Sequence, residues 1–351
     1  MSGMVAVHGQ GSSIHVHELT RSELDGLDAR VDRLLSAFGS VESAEFADAC
    51  ALAAQELPRS LRALAHRFKQ LHLRWGAVLL RGLPIDDRRI GPSPAHWDAP
   101  WRNPPTLREE IMQCLLAAGL GEIFGWRTQE NGRFLRHIVP IEKERAEQLG
   151  GSSTVTLVWH NEEAFHDHRC DFLTLLCYRN EERAQTILSS IDDVDIDDAH
   201  WRILSAPRFI VLPDKSHLPE QNVSEHWRLD DAAFERIRAM YASPTPVPVL
   251  SGARSRPFIQ VDEAFMSAVP GDDEAQAAYD WLLAQFNAKQ NVVVMDPGDM
   301  LWIDNKRAVH GRSIYSPHYG PRQRWLRRVN VTLSLRHSLP YRESPSARHL
   351  V

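Results

Sequence analysis

The sequence has few cysteines and no long apolar run, and each absence excludes a class of protein. No stretch approaches the roughly 18 consecutive apolar residues of a membrane-spanning helix, so we expect no membrane partner. Residues 1–10 lack a charged segment followed by an apolar one, so we expect no signal peptide. The four isolated cysteines form no C-x-x-C pair, which argues against a disulfide framework or a zinc site. Free thiols in a cytoplasmic protein fit them best: Cys50, Cys114, Cys170 and Cys177.

An excess of positive charge is also absent. The formal net charge is -6, which provides no basic surface for nucleic acid, so we expect no nucleic-acid partner. Hydrophobic residues make up 43% of the 351-residue chain and charged residues 25%, as in an ordinary globular protein. Because we find no internal repeat and no low-complexity linker, we interpret residues 1–351 as a single domain. The sequence leaves the oligomeric state open.

Helices dominate the first third of the predicted structure, and short strands dominate the remainder. Apolar residues recur at helical spacing in six segments: 22–35, 43–57, 61–71, 106–120, 229–242 and 272–289. From about residue 134 onwards, short apolar segments bounded by turn residues predict strands, the last of them at 325–336. We therefore predict a mainly β fold with flanking helices, in which a helical packing region over 1–120 precedes a strand-rich sandwich or barrel over 121–340.

A pair of metal-binding side chains follows the apolar segment 155–158. In an extended strand, residues two apart point to the same side, so His160 and Glu162 are expected to face one point. Two histidines and one carboxylate form the facial triad of non-haem Fe(II) oxygenases, which leaves positions open for substrate and O2. The best candidate for the third ligand is His310. An H-x-E triplet by itself occurs by chance in many chains and also fits an ordinary surface or core histidine.

Arg324 supplies a second signal. Iron enzymes of this type commonly use 2-oxoglutarate, whose far carboxylate needs a cation, and the planar fork of arginine suits a carboxylate. Arg324 lies 14 residues after His310 (324 − 310), and two antiparallel strands joined by a loop would place the two side by side. The alternative is that the basic residues around Arg324 form a solvated cluster. Between these segments, Asp304 and Asn305 are interpreted as turn residues and Phe265 as a core residue.

Three segments together resemble a known family. His160–His166, Val309–Arg312 and Arg324–Asn330 are similar to the clavaminate synthase-like Fe(II)/2-oxoglutarate-dependent oxygenases, and in particular to the branch that hydroxylates free amino acids, the arginine β-hydroxylases. The resemblance extends over about 121–335. It implies a double-stranded β-helix (jelly-roll) core, and Fe(II), 2-oxoglutarate and O2 as cofactor and co-substrates.

The resemblance also implies roles for individual residues. His160, Glu162 and His310 would bind the iron and form the catalytic centre. Arg324 would bind the far carboxylate of 2-oxoglutarate with help from the Thr186 hydroxyl. Arg328, four residues further along the same strand, would anchor carboxylates near the iron, including that of the substrate.

Substrate contacts follow from the same resemblance. Gln129, Ser153 and Glu162 match residues that hold the α-amino and α-carboxyl groups. Asp214 and Ser216 match a lid over the substrate side chain, although a turn led by Pro213 explains the segment equally well.

One position departs from the family pattern. Where arginine hydroxylases grip the guanidinium with two carboxylates, this sequence has Gln260 and Asp262. An amide beside one carboxylate suits a neutral polar group, so our hypothesis is a polar amino acid other than plain arginine, such as citrulline.

The expected activity is hydroxylation of an unactivated carbon of a free, arginine- or citrulline-like amino acid in specialised metabolism such as antibiotic biosynthesis. Desaturation or cyclisation by the same family is an alternative. A zinc-dependent hydrolase using the same three side chains, and a non-catalytic binding protein on a similar barrel, are two further alternatives. The zinc alternative gives no reason for an arginine 14 residues beyond the distal histidine (324 − 310). Because Glu162 is present, halogenation is disfavoured: the halogenases of this superfamily lack that carboxylate.

Overall fold

The computed structural model describes residues 13–70, 74–98, 104–223 and 231–351. The expectation for residues 1–10 lies outside these ranges, as do the ends of the predicted helices at 71 and 229–230. Every helix within the described residues is too short or too polar to cross a bilayer.

The described residues form helices and strands with the following bounds. The helices are α1 Arg21–Ala37, α2 Ala44–Ala54, α3 Arg59–Lys69, α4 Leu107–Ala118, α5 Asp198–Leu204, α6 Asp231–Ala242 and α7 Asp273–Ala288. The strands are β1 Ile14–Glu18, β2 Ala77–Arg81, β3 Glu122–Trp126, β4 Leu135–Ile138, β5 Leu157–His160, β6 Phe172–Arg179, β7 Gln185–Ser190, β8 Phe209–Val211, β9 Leu250–Ala253, β10 Arg256–Ile259, β11 Met266–Ala268, β12 Asn291–Val294, β13 Met300–Asp304, β14 Ala308–Arg312, β15 Trp325–Thr332 and β16 His349–Leu350.

The larger sheet contains eight of the described strands. Its order is β1-β2-β13-β6-β15-β3-β16, and β4 pairs with β15 beside β3. The early helices cover one face, where Leu27, Phe46, Leu64 and Leu115 pack with residues of β2, β13 and β15. The central strands β6 and β13 are buried along their whole length because both faces of the sheet are covered.

A second sheet has four strands in the order β12-β7-β14-β5, and all its pairs are antiparallel. Two further antiparallel pairs, β8 with β11 and β9 with β10, form separate two-stranded sheets. One face of the four-stranded sheet packs against the larger sheet, and the core between the sheets includes Leu188 and Val293 on one side and Leu173 and Leu301 on the other. The opposite face packs on α5 and α7. The prediction of a sheet-rich fold with flanking helices is confirmed.

Two expectations about the last strands were wrong. Strands β14 and β15 belong to different sheets, so His310 and Arg324 are not side by side on paired strands. The strand predicted at 325–336 ends at Thr332, after which Leu333 is 55% exposed and a 3-10 helix begins at Leu335. Seven residues of β15 in succession are buried.

Candidate active site

Strands β5 and β14 bring three metal-binding side chains together. The strands are antiparallel neighbours in which His160 and His310 lie directly opposite each other, and Glu162 follows two residues after His160. The Oε1 atom of Glu162 is 3.4 Å from Nε2 of His310 and 3.8 Å from Nε2 of His160. One ligand atom from each residue lies within 4.8 Å of the other two. Such a cluster could share one metal ion and leave its remaining positions to other ligands.

Backbone contacts orient these ligands. Nδ1 of His160 lies 2.9 Å from the Val158 carbonyl, so it carries the proton and leaves Nε2 free to bind a metal. The backbone N–H of Glu162 donates to Oδ1 of Asn305 at 2.8 Å, and Nδ2 of Asn305 donates to the Glu162 carbonyl at 3.1 Å. Asn305 is fully buried. The sequence indicated only a turn residue at this position and did not predict its contact with Glu162.

The charges at the site favour the metal-binding form of two of the three ligands, Glu162 and His310. Burial opposes ionisation of Glu162, but the Arg328 guanidinium and the two imidazoles outweigh it and hold the pKa of Glu162 well below its usual range. Burial, reinforced by His160, lowers the pKa of His310 to about 4. Burial also works against protonation of His160, but hydrogen bonding and charge from Glu162 raise its pKa overall. A carboxylate and a neutral imidazole are the states that a metal ion requires.

Arg324 is a buried cation with unused donors. Its Nε and Nη1 are buried and have no hydrogen-bond partner among the described residues. The guanidinium lies over the ring of Tyr315, at 5.7 Å from the ring centroid, and Arg312 lies over the same ring at 5.0 Å. Because a buried, unpaired cation is costly, the arrangement fits a ligand that brings a carboxylate.

A single cavity joins Arg324 to the metal-binding cluster. It contains about 1310 Å³ of space free of protein atoms, part of which is open solvent. Of the residues predicted from the sequence, ten line it: Gln129, His160, Glu162, Thr186, Asp214, Ser216, Asp262, His310, Arg324 and Arg328.

Two predicted substrate residues are not among the described residues that line this cavity. The Gln260 amide donates to the Ala164 carbonyl at 2.7 Å, so its side chain is committed to the protein. Ser153 is fully buried, and its hydroxyl oxygen has no partner among the described residues. Phe265, interpreted from the sequence as a core residue, instead lines the cavity.

The predicted lid is tied to the segment that contains Gln129. It consists of two 3-10 helices, Lys215–His217 and Pro219–Gln221, rather than a plain turn. Three successive residues hold it: the Thr128 hydroxyl lies 2.7 Å from Nδ1 of His217, Nε2 of Gln129 donates to the Ser216 hydroxyl, and the Glu130 N–H donates to Oδ1 of Asn222 at 2.7 Å.

The charged cavity residues that escaped the sequence interpretation include Arg136, Glu144 and Glu163. Glu163 follows a metal-binding residue and accepts hydrogen bonds from Arg328 and Asn330, each at 3.3 Å. Burial raises the pKa of Glu163 to about 7. The adjacent carboxylates at 162 and 163 were a usable signal for it, whereas nothing local marked Arg136 or Glu144.

Known proteins share this architecture and sequence. No family model matches the chain. The chain is 36% identical over 338 residues to an enduracididine beta-hydroxylase of Streptomyces hygroscopicus, covering 94% of this chain and 98% of the relative. It is also 36% identical over 303 residues to an L-ornithine/L-arginine 3-hydroxylase of Catenulispora acidiphila, covering 85% and 88%.

The chain belongs to the clavaminate synthase-like Fe(II)/2-oxoglutarate-dependent oxygenases. A crystal structure of the non-heme iron oxygenase OrfP with Fe, succinate and (3S)-hydroxy-L-Arg is similar to this chain, with a TM-score of 0.89 and 35% identity. The match covers 96% of this chain and 99% of OrfP. The expected class of enzyme is thereby confirmed, with iron, 2-oxoglutarate and O2 as its cofactor and co-substrates.

Proposed function

We propose that the oxygenase hydroxylates an unactivated carbon of a free amino acid whose side chain carries a positive charge. The observation that supports this most directly is the single cavity that joins a His-Glu-His cluster, several carboxylates and a buried arginine whose Nε and Nη1 have no partner among the described residues. We assign iron binding to His160, Glu162 and His310. When bound, the iron activates O2 together with the oxidative decarboxylation of 2-oxoglutarate.

In this proposal, two arginines bind carboxylates. Arg324 receives the far carboxylate of 2-oxoglutarate, and Thr186 on strand β7 adds its hydroxyl. Arg328 already pairs with Glu162 and Glu163, which fixes its guanidinium beside the metal-binding cluster. We assign to it the α-carboxylate of the substrate, because its Nε is buried without a partner among the described residues.

The side chain of the substrate meets carboxylates at other points of the cavity. Asp262 lies beside His160, and burial raises its pKa to about 7, so a bound cation would stabilise its ionised form. Asp214 and Glu144 also line the cavity. Because the Gln260 amide is engaged by a backbone carbonyl, we favour a cationic side chain over the neutral one suggested by the sequence. The relatives whose names mention enduracididine, ornithine and arginine support this choice.

Several finer assignments belong to the same proposal. We infer that the two facing sheets are the two halves of a double-stranded β-helix, and that residues 1–351 form one oxygenase domain. We further propose a role in specialised metabolism, such as antibiotic biosynthesis, in the cytoplasm. Four buried free cysteines agree with a reducing compartment.

A matched pair of substrates tests the proposal. L-Arginine and L-citrulline have nearly the same shape but differ in charge. With Fe(II), 2-oxoglutarate and O2, we expect succinate and a product heavier by one oxygen atom from arginine, and far less from citrulline. A product lighter by two hydrogens would indicate desaturation instead.

The controls separate the alternatives. His310→Ala should abolish succinate formation, and zinc should not replace iron. Activity that persists with zinc and without O2 would indicate a hydrolase. Preference for citrulline would reject the cationic substrate but leave the oxygenase assignment intact.

A further inference from the structure

A chain of hydrogen bonds crosses the cavity wall from strand β4 to the lid. Nε of Arg136 donates to Oε1 of Glu130 at 2.9 Å, and Nη1 of Arg136 donates to Oε1 of Gln129. Nε2 of Gln129 then donates to the hydroxyl oxygen of Ser216. All four residues line the cavity, and only 12% of the Arg136 side chain is exposed.

The direction of these bonds is set at the arginine. A guanidinium has donors and no acceptor, so the Gln129 group that faces Arg136 must be the amide oxygen. The amide nitrogen must therefore face Ser216, which removes the usual uncertainty between the two ends of a glutamine amide. Ser216 consequently accepts a hydrogen bond from Gln129, and its own proton is donated to no group among the described residues.

We propose that Arg136 is a positioning residue that, through Gln129, leaves the Ser216 hydroxyl as a hydrogen-bond donor to the α-carboxylate of the substrate. The inference rests on the proposed function, because a free amino acid with a cationic side chain offers its carboxylate as its acceptor. Its ammonium and guanidinium groups only donate. Arg136 thereby acts on recognition of the substrate without touching it.

The position of Ser216 does not depend on the direction of its hydrogen bond with Gln129. The bond between Thr128 and His217 and the bond between Glu130 and Asn222 hold the lid on either side of it. The backbone N–H of Ser216 also donates to Oδ1 of Asp214 at 2.8 Å. Loss of the Arg136 donor should therefore alter the direction of the Gln129–Ser216 bond and leave the lid in place.

Two ligands that differ by a carboxylate provide the first test. Anaerobic titration of the protein loaded with Fe(II) and 2-oxoglutarate measures the binding of L-arginine and of agmatine, which lacks the carboxylate. We expect Arg136→Met to weaken arginine binding about tenfold, the usual effect of losing a hydrogen bond to a charged group, and to change agmatine binding less than twofold. Arg136→Lys keeps a donor without an acceptor and should restore most of the arginine affinity.

The matched control is Arg238→Met, which removes an exposed ion pair on α6. It should change the binding of neither ligand. A purely structural role of Arg136 would weaken both ligands equally, and that result would overturn the proposal. Comparable thermal unfolding of the variants establishes that the comparison is between folded proteins.

A double-mutant cycle provides the second test and needs arginine alone. Glu at position 129 has two acceptors, so in Gln129→Glu the Ser216 hydroxyl must donate to it and is lost to the substrate. We expect about tenfold weaker arginine binding in Gln129→Glu, and little further loss when the same change is made in Ser216→Ala. If the losses of arginine affinity in the two single variants multiply in the double variant, Gln129 and Ser216 are not coupled and the proposal is rejected.

The outcomes distinguish this proposal from the proposed function. If the wild-type enzyme hydroxylates arginine but the variants treat arginine and agmatine alike, only the role of Arg136 fails. If the wild-type enzyme neither binds nor oxidises arginine, the proposed substrate class fails first.

Discussion

At the scale of single residues, two buried arginines of the site, Arg328 and Arg324, differ in how they are paired. Arg328 is neutralised by Glu162 and Glu163, whereas Arg324 has buried donors without partners among the described residues. Pairing determines what each can do. Arg328 orients Glu162 and Glu163 and keeps its Nε for a ligand, whereas both Nε and Nη1 of Arg324 remain available.

Arg324→Met should raise the KM for 2-oxoglutarate by about 30-fold, because removal of one partner from a buried charge pair costs roughly 2 kcal/mol or more. Steady-state succinate formation as a function of 2-oxoglutarate measures the change. Arg322→Met is the control, since that side chain is 60% exposed and forms surface ion pairs. An unchanged KM would assign the far carboxylate to another residue.

Asn305→Ala should weaken iron binding by about 10- to 100-fold, the usual effect of removing a group that orients a metal ligand. Asn305 bonds both the N–H and the carbonyl of Glu162, so the alanine variant frees the backbone that aims the carboxylate. Equilibrium titration with Fe(II) under anaerobic conditions tests this. Gln55→Ala, at an exposed position after α2, should bind iron as the wild type does.

At the scale of elements, the close approach of β5 and β14 sets the distance between the two histidines. A Cβ atom at Gly311 would lie 2.3 Å from the Leu157 carbonyl oxygen, and the register of the two strands shifts between His310 and Arg312. Glycine therefore permits the irregularity beside the metal ligand.

Gly311→Ala should separate β5 from β14, lower the melting temperature and weaken iron binding, since His160 and His310 lie on those strands. Calorimetry of the metal-free protein and Fe(II) titration measure the two effects. Gly150→Ala is the matched control for the melting temperature, because its new methyl group would make only an ordinary 3.5 Å contact with Ile138. Equal melting temperatures for both variants would show that the strands adjust freely.

Local patterns in the sequence predicted individual helices and strands better than they predicted which strands are neighbours in a sheet. The helical spacing of residues 22–35 and 43–57 corresponds to α1 and α2, and the H-x-E segment corresponds to the end of β5. The assignment of His310 and Arg324 to neighbouring strands failed because sheet membership depends on contacts that no local pattern encodes. The environment of Gln260 could not be predicted for a similar reason: its identity was visible, but its bond to the Ala164 carbonyl was not.

At the scale of the whole molecule, buried titratable groups make stability depend on pH in both directions. Burial lowers the pKa of His166 to about 3 and that of His217 to about 4. Stability from these histidines is present above their unfolded pKa of about 6.5 and is lost as the pH falls. Burial raises the pKa of Glu42 and Asp304 to about 7, so their contribution is lost as the pH rises from about 4 to 7.

His166→Gln should reduce the loss of stability between pH 6.5 and 5. Over that interval the imidazole takes up a proton in the unfolded wild type but stays neutral in the folded protein, which lowers the free energy of unfolding by roughly 2 kcal/mol. The His168 N–H already donates to Nδ1 of His166, in keeping with a neutral ring. Urea unfolding of both proteins in metal-free buffer at pH 6.5 and 5 measures the difference. Parallel losses would place the sensitivity in other groups.

The unused donors of Arg324 also affect the protein between turnovers. With no dicarboxylate bound, the chain keeps a desolvated positive charge, so the resting enzyme is less stable than the loaded one. Succinate retains the far carboxylate of 2-oxoglutarate and should shield the same charge, which makes the reaction product a competitor for its own precursor. Persistence of the folded enzyme would then follow the supply of small diacids from central metabolism.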